Sequence, residues 1–101
     1  MKKSNPYHWK GSDSKAVFEA ILKLKTVDEC ERFFRDILTL RELEEMINRF
    51  KIARLLNAPR PKPYLEIARE TAASTTTVTR VAQWLHGGEG GYRLILDRLK
   101  N

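Results

Sequence analysis

P-Y-L-E-I-A-R-E-T-A-A-S-T-T-T-V-T-R-V-A-Q-W-L, residues 63–85, reads as a short helix, a tight turn and a second helix with a hydroxyl-rich outer side. Such a pattern is a helix-turn-helix. Ala68 is small enough to let the second helix cross the first closely. Val78 and Val81, three residues apart, point into the angle between the two helices. Ser74 suits the N-cap of the second helix, because its hydroxyl can accept a bond from an orphan backbone N–H. Thr75, Thr76, Thr79, Arg80 and Gln83 then fall on the outward side. Ala72 occupies the turn position where such motifs usually carry glycine, since the backbone there often needs positive φ. Alanine in that geometry costs about 1 kcal/mol, unless the turn adjusts.

Composition limits what surrounds this motif. A chain of 101 residues, 42% hydrophobic, is long enough for one small folded domain. We expect an N-terminal arm over residues 1–11 and a single helical domain over 12–101. The net charge is +6. Residues 1–50 carry 10 Lys/Arg against 9 Asp/Glu, or +1, and residues 51–101 carry 9 against 4, or +5. The excess sits with the helix-turn-helix, which favours a polyanionic partner there or else serves solubility. Cys30 is the single cysteine, so an internal disulfide and a cysteine metal cluster are excluded, in keeping with a reducing cytosol. No run approaches the ~20 apolar residues of a membrane span, and the first residues lack the apolar core of a signal peptide. The expected location is cytoplasmic, at the nucleoid.

Upstream, Tyr7 and Trp9 put two aromatics in the arm, for docking on a partner or for nucleic-acid contact. Val17, Phe18, Ile21, Leu22 and Leu24 mark a helical stripe over 12–25. Thr26 with Glu29 is a capping box for the next helix, which runs through Cys30, Phe33, Phe34, Ile37 and Leu38. Thr39 with Glu42 repeats the device for a third helix, Leu40 to about Leu56. There Leu40, Leu43, Met46, Ile47, Phe50, Ala53 and Leu56 form one broad stripe, with Ile52 and Leu55 outside it. A helix apolar over so much of its circumference must be covered on more than one side. The reading is an intimate homodimer; the alternative is the central helix of one compact bundle.

Three prolines in Asn57–Pro63 break the chain before the motif. Arg60 and Lys62 in this linker are placed for phosphate contacts, with Arg69 beyond them, or are solvated charges. Gly87, Gly88, Gly90 and Gly91 make a flexible connection without the pattern of a phosphate loop or of a KH RNA-binding module. Tyr92, Ile95, Leu96 and Leu99 give a last short helix. The fold class is therefore all-α, about six helices.

No catalytic constellation emerges. His8 and His86 lack metal-ligand spacing to other candidates, and the thiol lacks a nucleophile's context. The chemistry lies in the second helix of the motif, whose N-terminal residues in such motifs enter the major groove. Thr75, Thr76, Thr77 and Thr79 are short enough for close approach; their hydroxyls suit bases or phosphates, and their methyls suit thymine. Threonine is a mediocre helix former, so four in five residues at a helix start are better explained by recognition than by folding. Arg80 can reach guanine or phosphate, with Gln83 on the same side. The partner expected is double-stranded DNA. A protein-interaction module of the transcription machinery is the second reading, and RNA binding the third.

L-T-L-R-E-L-E-E-M-I-N-R (38–49), Y-L-E-I-A-R-E-T (64–71) and T-T-T-V-T-R-V (75–81) together resemble the tryptophan-repressor-like proteins, particularly their YerC/YecD branch, over about residues 12–99. The resemblance implies an intertwined all-helical dimer with two helix-turn-helix heads and a role as a transcriptional regulator, a repressor. In the tryptophan repressor, free tryptophan wedges between the long helix and the recognition helix. By motif position, the threonine and two arginines of that pocket resemble Thr39, Arg49 and Arg80. Here Val81 and Trp84 stand where the family has a small residue and a serine, adding bulk beside the ligand. Trp84 either fills the slot as a built-in wedge or packs at the edge of the core. No cofactor is expected, and a tryptophan-like effector is disfavoured.

Overall fold

The computed structural model describes residues 8–100. Tyr7, and with it most of the predicted arm, lies outside the described residues. Among those described, six helices and no strand are found: α1 (Ser12–Ile21), α2 (Val27–Ile37), α3 (Leu40–Leu56), α4 (Tyr64–Thr71), α5 (Thr75–Gly87) and α6 (Gly91–Leu99). The all-α expectation holds. The helices fall into two compact units that divide between Thr39 and Leu40.

The first unit holds α1 and α2. α1 ends at Ile21, short of the Lys25 suggested by its apolar stripe. Lys23 N–H and Leu24 N–H each bond three residues back, to Ala20 and Ile21, at 3.0 Å, which tightens the chain out of α-helical register. Thr26 then caps α2 by accepting from Glu29 N–H at 3.1 Å. The Glu29 carboxylate accepts from Lys25 N–H at 2.8 Å, so the predicted box forms with its return bond one residue earlier than the standard form. No residue of either helix is buried. Phe18, Leu22, Val27 and Ile37 are exposed, and Trp9 meets Phe18 edge to face with ring centroids 6.2 Å apart.

The second unit has the core. Ile52, Ala53 and Leu56 of α3, Ile67 and Ala68 of α4, Val78, Val81, Ala82 and Leu85 of α5, and Leu96 of α6 are buried together. Ile52, Ile67 and Val78 are fully enclosed; burying such a side chain contributes about 1.5–3 kcal/mol. Ala68 and the Val78/Val81 pair therefore sit where their size and spacing placed them. Only the C-terminal part of α3 joins this core. Leu40, Met46 and Ile47, nearer its start, remain exposed.

The turn between α4 and α5 is made locally. Ala72 adopts the left-handed conformation, φ 54° and ψ 33°, and Ala73 N–H reaches back to the Ala68 carbonyl at 3.0 Å, a Schellman-type closure. The Thr71 hydroxyl, buried, donates to the Ile67 carbonyl at 2.7 Å. Ser74 caps α5 by accepting from Thr77 N–H at 3.1 Å. Ala72 is the only described non-glycine residue with positive φ. Relief of its strain, set against the greater unfolded-state freedom of glycine, makes Ala72→Gly stabilising by about 0.5–1 kcal/mol. Thermal unfolding should register this as a rise of a few degrees, and an unchanged or lower midpoint would show the turn to be unstrained.

Candidate nucleic-acid interface

The outer face of α5 carries the predicted residues together. Thr75, Thr76, Thr79, Arg80 and Gln83 line one shallow concavity of about 280 Å³, and all five are exposed. Their hydroxyls differ in what they can do. The Thr79 hydroxyl donates to the Thr75 carbonyl at 2.9 Å, so it meets an outside partner only as an acceptor. The side-chain hydroxyls of Thr75 and Thr76 have no hydrogen-bond partner among the described residues and can donate as well as accept. Thr77 lies on the other flank, half-buried, its hydroxyl 3.1 Å from that of Ser74.

That flank borders a larger open groove of about 770 Å³. Its walls are Arg49 and Phe50 of α3, Thr77, Arg80, Val81 and Trp84 of α5, Glu89, and Gly91, Tyr92 and Ile95 at the start of α6. Arg49 of α3, distant in sequence, is thus brought to one groove with Arg80 and Trp84 of α5. Thr39, implied with them by the resemblance, closes the first unit. Burial pushes the Tyr92 phenol above its ordinary value, and the Arg49 guanidinium partly offsets this. Val81 is both groove wall and buried core. Trp84 is 58% exposed and lies along the end of α5. A Cβ on Gly88 would come within 2.6 Å of the Trp84 ring and 2.5 Å of the Trp84 carbonyl oxygen, so glycine there is what lets the indole lie down. Trp84 shapes one wall and leaves the groove open.

Arg80 lines both the groove and the α5 concavity. A single guanidinium is therefore shared between the outer face and the space behind it.

Of the remaining predicted cations, Arg60 and Arg69 are exposed, with no ion pair or side-chain hydrogen bond among the described residues. Lys62 is engaged by Glu70 at 2.9 Å. Sequence spacing did not point to that pair, although its eight residues straddle the start of α4. Nor did it assign Glu89 and Tyr92 to the groove. The glycines around Glu89 read as a plain connection, but Gly90, at φ 84°, turns the chain into α6, whose first residues form a wall of the groove. Arg93 ties α6 to the end of α3, donating to Asn57 Oδ1 at 2.6 Å across 36 residues of sequence. Among the described residues no cluster of three or more His, Cys, Asp or Glu is placed to hold a metal ion, and no helix is long and apolar enough to cross a membrane.

Comparison with known proteins places this architecture. Residues 12–100 match the family described as Trp repressor protein. The chain is 38% identical over 91 residues to the uncharacterized protein YerC of Bacillus subtilis, covering 90% of this chain and 86% of that one. It superimposes on a TrpR-like protein from Eubacterium eligens with a TM-score of 0.83 at 40% identity, covering 90% of this chain and 92% of that one. A Staphylococcus aureus protein solved as a candidate Trp repressor gives 0.82 at 34% identity, covering 90% and 89%. With its six helices, its helix-turn-helix and this likeness along nearly its whole described length, the chain belongs to the Trp repressor family, in the YerC branch.

Proposed function

We propose that the protein is a sequence-specific DNA-binding transcriptional regulator, acting as a repressor from an intertwined homodimer with one helix-turn-helix head per protomer. The observation that carries this reading is the α5 face, where free hydroxyls, a guanidinium and an amide surround one concavity. Those groups can read base edges in a major groove, and threonine methyls can meet thymine. Arg60 and Arg69 supply flanking positive charge for phosphates. The core of a protein-binding surface is on average more apolar and poorer in charge; this one is lined by hydroxyls, a guanidinium and an amide. No catalytic role is proposed.

The dimer rests on uncovered apolar surface. α1 and α2 carry apolar stripes without burying a residue, and Leu40, Met46 and Ile47 of α3 add exposed area beside the start of the core helix. A second copy would supply the cover. Two-fold symmetry then sets half-sites about 34–36 Å apart, one DNA turn. Selection from random duplexes should return an enriched, pseudo-palindromic sequence with that spacing, bound with steep salt dependence because phosphate contacts release counterions. Failure to enrich any sequence would refute specific recognition.

The head works without tryptophan in this proposal. The groove is open and has ample volume for a small molecule, so what disfavours the amino acid is the make-up of its α5 wall, where Val81 and Trp84 stand in place of a small residue and a serine. Calorimetry should detect no tryptophan binding to the natural chain. Micromolar affinity would overturn this part while leaving the DNA reading intact.

A further inference from the structure

Lys62 and Glu70 form the one ion pair among the described residues that is not confined to neighbouring turns of a helix; Arg32–Asp28 and Lys100–Asp97 are both local. The Lys62 ammonium donates to both oxygens of the Glu70 carboxylate, at 2.9 and 3.3 Å. Pro61 and Pro63 flank Lys62 and restrict the backbone that carries it, so the base of its side chain stays beside the start of α4. The hydrogen bond to Glu70 and then its charge outweigh desolvation, with a still smaller push from Glu66, and hold the ammonium above its ordinary value.

Both side chains are substantially exposed, 53% and 40%, and pairs of that kind add little to stability. Their consequence is for binding. A free ammonium meeting a phosphate releases a condensed counterion and gains affinity. A paired ammonium must first leave Glu70, and the abandoned carboxylate then faces the same phosphate as a like charge.

We propose that Glu70 is a built-in competitor for the DNA backbone: it holds Lys62 in a pair that a phosphate must displace, which sets the affinity of the head below what its cations allow. This rests on the DNA-binding reading of the head. Arg60 and Arg69, without such partners among the described residues, carry the phosphate contacts of the natural chain. Glu70 is thus an affinity-determining residue that touches no DNA.

The test uses the full chain with a mixed-sequence duplex, measured by fluorescence anisotropy over a range of salt. Glu70→Gln should tighten binding about three- to tenfold at low salt and steepen the log–log salt slope by about 0.9 for each lysine released. Both changes should vanish when Lys62→Met is also present. Lys62→Met alone should weaken binding modestly, because it leaves the Glu70 carboxylate unneutralised beside the phosphate, and the double variant should bind like the natural chain. Glu66→Gln is the charge-matched control and should give less than half the gain. Equal tightening by Glu66→Gln, or a double variant that binds tighter than the natural chain, would show a general charge effect and overturn the proposal. A natural chain that binds with steep salt dependence but is unmoved by Glu70→Gln overturns this proposal alone. A natural chain without affinity for any duplex removes the DNA reading along with it. Thermal midpoints should stay level, so loss of folding cannot imitate the result.

Discussion

Ile47→Glu should leave the protein monomeric and weaken its hold on a two-half-site operator by about 10²–10⁴-fold, the gain normally supplied by linking two heads. Ile47 is 57% exposed and lies with Leu40 and Met46 on the early turns of α3. In a two-fold interface one substitution enters twice, and each carboxylate would have to be buried without a partner, at a cost of several kcal/mol. The core residues of α3 begin at Ile52, more than a turn beyond, so the head itself should remain folded. Sedimentation should show the change of mass while the helical circular dichroism of the second unit persists. A variant that stays dimeric would move the interface elsewhere, and a natural chain that sediments as a monomer would remove it.

Arg80→Met should cost about 1–3 kcal/mol per half-site on the selected operator if the guanidinium reads a base. A dimer doubles that loss. The measurement separates a base partner from a phosphate partner. Removing a base contact relaxes sequence preference at one position and leaves the salt slope nearly unchanged. Removing a phosphate contact weakens all sequences alike and lowers the slope by about 1 per contact. Arg80 also lines the groove behind α5, where methionine keeps most of its apolar stem. Thermal stability should therefore change little. An Arg80→Met protein that binds the operator as well as the natural chain would remove Arg80 from the reading surface.

The features legible in the sequence are those decided within a few residues of chain. Ser74 caps α5 through a bond to Thr77 N–H, three residues on, and the hydroxyl–amide geometry needs nothing beyond the local backbone. The positive φ of Ala72 follows from the reach of a tight turn, whatever surrounds it. Val78 and Val81 share a face because the helix period places them there, and Ala68 is buried because only a small residue permits the crossing. The end of α1 is less legible. Its apolar stripe continues to Leu24, but backbone bonding and the next cap take the final residues into a turn.

By itself the sequence determined the helical class, the turn and the outward face of α5, since period, caps and left-handed turns are set by neighbours in the chain. Tertiary structure alone decided which charges are free and which spaces are open. Lys62 reads as a phosphate ligand from its position in the linker, yet Glu70 holds it. Arg49, Trp84 and Tyr92 became walls of one groove, and Arg93 found Asn57 across 36 residues. Such meetings depend on where helix packing carries each side chain and on which rotamer it then adopts. Neither is written in local spacing.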